Sequence, residues 1–115
     1  MKPRVLIVED DPVLQMLWED DLGSKVEVLS ALTIQQAEEL FANNPDVALV
    51  VMDACLYDSG IDTIPLVRKI RKTFHGPMIS SSGNPKYQKL LREAGCDHSC
   101  KKREVPEKVL EILAL

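Results

Sequence analysis

The sequence has no excess of basic residues, no long apolar run and no CxxC cysteine pair. Its formal net charge of −4 argues against nucleic acid as a direct partner, because nucleic-acid binding usually needs a basic face. No segment approaches the roughly 18 apolar residues that a membrane span requires, and the first residues lack the apolar core of a secretory signal. With three cysteines and no CxxC pattern, the expectation is a reduced, cytoplasmic protein without a membrane partner.

Glycine is absent from the turn where a nucleotide-binding domain would need it. The chain has five glycines, but the turn after the first apolar run reads Glu9-Asp10-Asp11. A phosphate-binding turn needs glycines so that its backbone N–H groups can approach the phosphate. A nucleotide- or flavin-binding domain is therefore disfavoured.

Short aliphatic runs alternate along the chain with segments of helical periodicity. The runs predict strands at 3–8, 26–29, 47–52, 77–80 and 97–101, and the periodic segments predict helices at 12–22, 33–42, 61–74, 84–94 and 106–115. Because unbroken apolar strands are typical of parallel sheets with helices on both faces, the alternation predicts an α/β fold. At 115 residues the chain has room for a single domain, 1–115.

Polar residues that can carry chemistry stand at the ends of four predicted strands. They are Glu9, Asp10 and Asp11 after the first strand, Asp53 after the third, Ser80–Ser82 at the end of the fourth, and Lys101 with Lys102 at the end of the fifth. Open parallel sheets bind their ligands at this edge. Crowded carboxylates there favour a bound cation, and oxygen ligands suit Mg²⁺. A lysine can pair with phosphate, and a carboxylate beside a metal can act as a nucleophile.

These residues stand in five motifs that resemble the receiver domains of two-component response regulators. The motifs are LIVEDDP at 6–12, VVMD at 50–53, PMISSSG at 77–83, EAGCD at 93–97 and KKREVPEKVLEIL at 101–113. The resemblance covers the whole chain and implies a flavodoxin-like, doubly wound (βα)5 fold, a three-layer sandwich around a five-stranded parallel sheet in the order 2-1-3-4-5. It also implies one receiver domain, 1–115, without an output domain, which is not an enzyme beyond catalysing its own phosphorylation and dephosphorylation.

The resemblance implies a phosphoacceptor and a metal site. Asp53 matches the phosphoacceptor, and Glu9, Asp10 and Asp53 match the carboxylates that hold Mg²⁺ or Mn²⁺. Asp10 would bind the metal directly, whereas Glu9 would act largely through water. The backbone carbonyl of Cys55 would be a further metal ligand, and Asp11 would cap the first helix.

Further positions match residues that handle the phosphoryl group and the signal. Ser82 matches the hydroxyl residue that hydrogen-bonds the phosphoryl group, and Lys102 matches the lysine that pairs with it. The Cys55 side chain and Asn84 match positions that tune the dephosphorylation rate. Ser82 and Ser99 occupy the two switch positions, but the family usually has an aromatic residue where Ser99 stands.

The chain departs from the family pattern after Asp53 and after Lys102. Tyr57 and Ile61 stand where the family usually has proline and glycine, and the loop looks one residue short. Arg103 replaces the proline that usually follows the lysine in a cis peptide. Because a cis bond before a non-proline residue costs about 2.5–4 kcal/mol, we expect the Lys102–Arg103 bond to be trans.

The implied function is Mg²⁺-dependent transfer of a phosphoryl group from a phosphohistidine to Asp53. The donor would be a sensor histidine kinase or a histidine phosphotransfer protein, and an unidentified downstream partner or output domain would read the switched conformation. The family often dimerises through the fourth helix, the fifth strand and the fifth helix. These elements are therefore the candidate homodimer interface.

Two alternative functions are kept beside this one. The missing aromatic residue, the altered loop and Arg103 also suit a degenerate receiver that acts as a phosphate-independent interaction module. A small metal-dependent phosphatase is less favoured, because haloacid-dehalogenase-type phosphatases carry their nucleophile on the first strand with a second Asp two residues on. Here Asp53 follows the third strand, and Cys55 stands at that spacing.

Overall fold

Five parallel β-strands alternate with five α-helices in residues 1–57 and 60–115, which the computed structural model describes. The elements are β1 (Arg4–Val8), α1 (Pro12–Leu22), β2 (Glu27–Ala31), α2 (Ile34–Asn43), β3 (Leu49–Met52), α3 (Ile64–Arg71), β4 (Met78–Ser81), α4 (Pro85–Ala94), β5 (His98–Cys100) and α5 (Val105–Leu113). A 3₁₀ turn, Lys102–Glu104, precedes α5. The strands form one sheet in the order β2-β1-β3-β4-β5, which confirms the predicted flavodoxin-like fold.

Helices cover both faces of the sheet. Because alternate residues of a strand point to opposite faces, a strand contributes side chains to the cores on both sides. In β1, Leu6 and Val8 face the core formed with α2, α3 and α4, whereas Val5 and Ile7 face the core formed with α1 and α5. The four residues of β3 are all apolar and buried. A central strand with helices on both sides requires such a sequence.

Local capping residues fix where α1 and α4 begin. The Asp11 carboxylate accepts a hydrogen bond from the N–H of Val13 at 2.9 Å, and Pro12 is the first residue of α1. Asn84 caps α4 in the same way, by accepting the N–H of Lys86 at 2.9 Å. The expected structural role of Asp11 is thus confirmed, and Asn84 is likewise a residue type that favours the N-cap position.

Several predicted boundaries differ from the structure by two or three residues, among them the end of the third helix, at Arg71 rather than 74, and the start of the third strand, at Leu49 rather than 47. Two others have a clear physical cause. The third helix was expected from residue 61 but begins at Ile64, because the side chains of Asp62 and Thr63 hydrogen-bond to the preceding loop. The second strand was expected at 26–29, but β2 continues to Ala31. It does so because it pairs with β1 along its whole length, with Ala31 opposite Val8.

Three further observations concern the backbone. The Lys102–Arg103 peptide bond is trans, as expected. The expectation that the loop after Asp53 is one residue short depends on residues 58 and 59, which lie outside the described residues. Among the described helices, none has both the length and the apolar character needed to cross a membrane.

Candidate metal and phosphoacceptor site

Glu9, Asp10 and Asp53 lie together at the carboxyl edge of the sheet. Each offers a carboxylate oxygen, and these oxygens lie within 4.8 Å of one another. Glu9 follows β1 and is fully buried, whereas the adjacent Asp10 is exposed. Asp53 follows β3, the neighbour of β1 in the sheet, and its N–H donates to the carbonyl of Val8 at 3.0 Å. The pairing of β1 with β3 thus brings together acids that are distant in sequence.

Glu9 is held in place by its backbone and by a buried glutamine. Its N–H donates to the Ala31 carbonyl at 3.0 Å, and its Oε2 accepts the N–H of Asp11 at 3.1 Å. Gln15 Nε2 donates to the carbonyls of Ile7 at 2.8 Å and Ala31 at 3.1 Å, which ties α1 to the ends of β1 and β2. Gln15 is not predicted from the sequence, where its only signal is an amide on the buried face of α1.

Lys102 connects two of the three acids. Its Nζ lies 2.8 Å from Glu9 Oε1 and 3.3 Å from Asp53 Oδ2. Lys101 and Arg103 on either side are exposed, and neither forms an ion pair within the described residues. Of the three consecutive basic residues, the 3₁₀ turn therefore brings Lys102 to the acids, as the sequence predicts.

Burial changes the proton affinity of the clustered groups. It raises the pKa of Glu9 to about 7, although the hydrogen bond from Lys102 opposes the shift. Burial also raises the pKa of the Asp53 carboxyl, again against the charge of Lys102. For Lys102, burial lowers the pKa, but the hydrogen bond to Glu9 and the charge of Asp53 outweigh burial, so the pKa is raised. A single ammonium group thus compensates only part of the negative charge of the cluster.

This donor set fits a hard divalent cation. Mg²⁺ prefers oxygen ligands and binds with one or two carboxylates plus waters, and its charge would offset what Lys102 leaves uncompensated. The carbonyl of Cys55 accepts no hydrogen bond from residues 1–57 and 60–115, which agrees with the expectation that it is a further metal ligand. Burial raises the pKa of the Cys55 thiol, which keeps the thiol protonated and makes it a poor metal ligand.

Ser82 and Asn84 lie on the loop after β4, at the same edge of the sheet. Because β4 pairs with β3, this loop lies next to the one that begins at Asp53. Ser82 is buried, its Oγ accepts the N–H of Asn84 at 3.2 Å, and its carbonyl accepts the side-chain amide of Gln88. Within the described contacts Ser82 forms no hydrogen bond with Asp53.

Ser99 in β5 is linked to Ser80 in β4. The two residues are register partners, and Ser80 Oγ donates to Ser99 Oγ at 2.9 Å. The sequence predicts a switch position at Ser99 but not its pairing with Ser80, because only the register of β4 with β5 shows that the two residues meet. The bond connects β5 to the strand that leads to Ser82.

Comparison with solved structures shows that the fold is that of response regulator receiver domains. A two-component response regulator from Clostridium difficile has a TM-score of 0.84 at 20% identity, with 98% of this chain and 97% of that chain covered. The chemotaxis protein CheY4 from Vibrio cholerae has a TM-score of 0.81 at 17% identity, with 99% and 98% covered. The co-crystal structure of the Saccharomyces cerevisiae histidine phosphotransfer protein Ypd1 and the receiver domain of Ssk1 matches with a TM-score of 0.78 at 20% identity, with 96% and 88% covered.

In sequence, the chain is similar to the transcriptional regulatory protein AruR from Pseudomonas aeruginosa, with 34% identity over 104 residues. The match covers 84% of this chain and 42% of AruR, so the chain spans less than half the length of this relative. No protein-family model matches the chain. The resemblance to response regulators that the motifs predict is thus confirmed, in fold by the solved structures and in sequence by AruR.

Proposed function

We propose that the chain is a phosphoacceptor receiver domain of a two-component system, in which Asp53 accepts a phosphoryl group from a phosphohistidine. The observation that supports this function best is the cluster around Asp53. Its buried carboxylate lies within 4.8 Å of oxygens from Glu9 and Asp10, and 3.3 Å from the ammonium group of Lys102. Such a cluster supplies a nucleophile, ligands for a divalent cation and a positive charge for the phosphoryl oxygens.

The metal site is proposed to consist of Glu9, Asp10, Asp53 and the Cys55 carbonyl, and to take Mg²⁺ or Mn²⁺. When bound, the metal supplies positive charge that offsets the repulsion between the Asp53 carboxylate and the phosphoryl oxygens. We assign direct binding to the exposed Asp10. Glu9 acts through water, because its Oε1 is already 2.8 Å from Lys102 Nζ.

The proposed reaction is an in-line displacement at phosphorus. One Asp53 oxygen forms a bond to phosphorus while the phosphorus–nitrogen bond of the phosphohistidine breaks and its electron pair goes to the imidazole nitrogen. The Ala54 N–H, which donates to Asp53 Oδ1 at 2.8 Å, orients the carboxylate. Lys102 and the hydroxyl group of Ser82 then bind the transferred phosphoryl oxygens. The Cys55 side chain and Asn84 flank the product and set how readily water reaches it.

The phosphodonor is proposed to be a sensor histidine kinase or a histidine phosphotransfer protein. The Ypd1–Ssk1 co-crystal structure supports this proposal, because it contains a chain of the same fold together with a histidine phosphotransfer protein. The helix that follows Asp10 also supports it, because α1 exposes the apolar side chains of Val13, Met16 and Leu17. A protein that brings a phosphohistidine to Asp53 would cover this side of the site.

The phosphorylated state is proposed to be read at α4, β5 and α5 by a downstream partner, an output domain or a second copy of the chain. The α4 surface exposes Lys86 and Lys89, whereas α5 exposes Glu107 and Glu111. A two-fold dimer that sets α4 against α5 would therefore bring opposite charges together. We place this signalling in the cytoplasm, a location with which the three unpaired cysteine thiols agree.

Intact-mass measurement after incubation with Mg²⁺ and acetyl phosphate tests the proposal. The wild type is expected to gain one phosphoryl group, and the adduct should be absent from Asp53→Asn and from wild type in EDTA. An adduct that persists in Asp53→Asn would show that another residue is the acceptor.

A degenerate receiver that binds partners without phosphate is the second candidate. The observation that favours it is the hydroxyl pair of Ser80 and Ser99, which stands where a switching aromatic side chain is expected. Absence of any adduct, with acetyl phosphate and with a mixture of histidine kinases alike, would favour this second function.

A further inference from the structure

Two residues just before α3 hold the loop that begins at Asp53. We propose that Thr63, together with Asp62, is a positioning residue that fixes Asp53 and the Cys55 carbonyl in the arrangement that binds the divalent cation. The proposal rests on the metal-dependent function proposed above. It concerns side chains that do not themselves bind the metal or the phosphoryl group.

Thr63 uses its hydroxyl group to hold the phosphoacceptor backbone. The residue is fully buried, and its Oγ1 donates to the Asp53 carbonyl at 2.7 Å and lies 3.1 Å from the Ala54 carbonyl oxygen. Thr63 stands at the N-cap position of α3, yet its side chain caps no helical N–H group. At the start of α2, by contrast, Thr33 Oγ1 accepts the N–H of Gln36 at 3.1 Å in the usual capping manner. The hydroxyl group of Thr63 therefore serves the loop rather than the helix.

Asp62 holds the other side of the same loop. Its two carboxylate oxygens accept the N–H groups of Leu56 and Tyr57, each at 2.9 Å, and its own N–H donates to the Ala54 carbonyl at 3.0 Å. The backbone is thus tied on both sides of Cys55. The Cys55 carbonyl, the proposed metal ligand, lies between these ties and accepts no hydrogen bond from residues 1–57 and 60–115.

Loss of the Thr63 hydroxyl group would remove the donor to the Asp53 carbonyl, whereas the Ala54 carbonyl would keep the N–H of Asp62. Valine has nearly the shape of threonine but cannot donate, so Thr63→Val leaves the Asp53 carbonyl unpaired and favours a shifted loop. Mg²⁺ and Mn²⁺ sites built from oxygen ligands tolerate such shifts poorly. Mutation of a residue that hydrogen-bonds to a metal ligand typically lowers metal affinity by about 10- to 100-fold.

Mn²⁺ binding, measured from the electron paramagnetic resonance signal of the free ion, tests the proposal without requiring phosphorylation. We expect Thr63→Val to weaken Mn²⁺ binding by about tenfold, whereas Thr63→Ser, which keeps the hydroxyl group, should bind as the wild type does. Thr33→Val is the matched control, since it removes a threonine hydroxyl at another helix start. It should lower the melting temperature but leave the Mn²⁺ affinity unchanged.

The outcomes separate this proposal from the proposed function. Wild type that binds Mn²⁺ together with Thr63→Val of equal affinity would overturn the positioning role. Wild type that binds no Mn²⁺ would contradict the metal-dependent function. The role of Thr63 and Asp62 in holding the loop would then be decided by hydrogen–deuterium exchange of the amides of residues 54–57. Exchange several-fold faster in Thr63→Val supports that role, and unchanged exchange refutes it.

Asp62→Asn, at a partly exposed position, is the second variant should Thr63→Val not fold, and it should also weaken Mn²⁺ binding.

Discussion

At the end of β1 two adjacent acids have opposite surroundings. Glu9 is fully buried against Lys102, whereas Asp10 is exposed beside it. A buried carboxylate is stabilised in its neutral form, and the pKa of Glu9 rises to about 7 for that reason. The protonation of Glu9 therefore changes in the physiological pH range unless a cation holds it ionised.

The raised pKa of Glu9 predicts how stability depends on pH in the absence of metal. Its folded-state pKa of about 7 lies above the ordinary value of 4.5, so the folded protein binds more protons than the unfolded chain between these values. Protonation of Glu9 therefore stabilises the folded state. This stabilisation is present in full below the unfolded-state pKa of 4.5 and is lost as pH rises through about 7. In EDTA, the melting temperature should therefore be higher at pH 5 than at pH 8.

Mg²⁺ should reduce the difference in melting temperature between pH 5 and pH 8, because the cation favours the ionised carboxylates. The stabilisation by Mg²⁺ should therefore be larger at pH 8 than at pH 5. Glu9→Gln is the matched variant, since it cannot ionise and should show a smaller dependence on pH in EDTA. Thermal denaturation followed by circular dichroism measures both effects. Equal melting temperatures of the wild type at pH 5 and pH 8 in EDTA would contradict the prediction.

At the scale of elements, two adjacent acids before α1 have different roles, one in capping the helix and one in the acidic cluster. Asp11 caps the helix through the N–H of Val13, whereas Asp10, one residue earlier, takes part in the acidic cluster. Asp11 therefore caps α1 without taking a carboxylate away from the cluster of Glu9, Asp10 and Asp53.

Asp11→Ala and Asp10→Ala should therefore have opposite effects. Loss of the cap in Asp11→Ala should lower the free energy of unfolding by about 1 kcal/mol and leave phosphorylation of Asp53 by acetyl phosphate in place. Asp10→Ala should abolish Mg²⁺-dependent phosphorylation but retain the stability of the wild type, because the side chain is exposed. Urea denaturation and intact mass measure the two properties. A Mg²⁺-dependent adduct in Asp10→Ala would contradict the proposed metal site.

The same scale shows what the sequence can predict. The strands β1 and β3 and the caps of α1 and α4 depend on local patterns of apolar and capping residues, so they are predictable. The start of α3 is not, because a threonine before a helix suggests a cap, and nothing local shows that the Thr63 hydroxyl group turns to the Asp53 carbonyl instead. Similarly, Glu9, Asp53 and Lys102 are predictable from the rule on strand ends. The bond between Ser80 and Ser99 depends on strand register, which the sequence does not show.

At the scale of the whole molecule, exposed basic residues predominate on α4 (Lys86, Lys89 and Arg92, beside Glu93), whereas α5 exposes Glu107 and Glu111. The exposed basic residues of α4 and the exposed acidic residues of α5 lie on either side of β5 in the chain. A surface with both signs can pair with itself through a two-fold axis. Salt screens interactions between exposed charges, so such pairing depends on ionic strength.

Phosphorylation is expected to favour a dimer through this surface. Sedimentation velocity in Mg²⁺ with and without acetyl phosphate should show a dimer that forms on phosphorylation and weakens as salt is added. Lys89→Glu should raise the dimer dissociation constant about tenfold, because it places like charges in contact. Lys25→Glu is the control, as the same charge change on a loop at another part of the surface. A phosphorylated protein that stays monomeric at all concentrations would contradict this interface.

The contact between Lys102 and Glu9 joins the first strand to the segment after the last one. During synthesis, the acids of β1 and β3 leave the ribosome long before the lysine that compensates them. A nascent chain that has formed four strands therefore has the carboxylates without their ammonium partner, and a fragment ending before residue 102 would be in the same condition. The site is thus complete only when the whole domain has been synthesised. A truncated product would carry Asp53, the proposed acceptor, but not Lys102, which is proposed to bind the phosphoryl group.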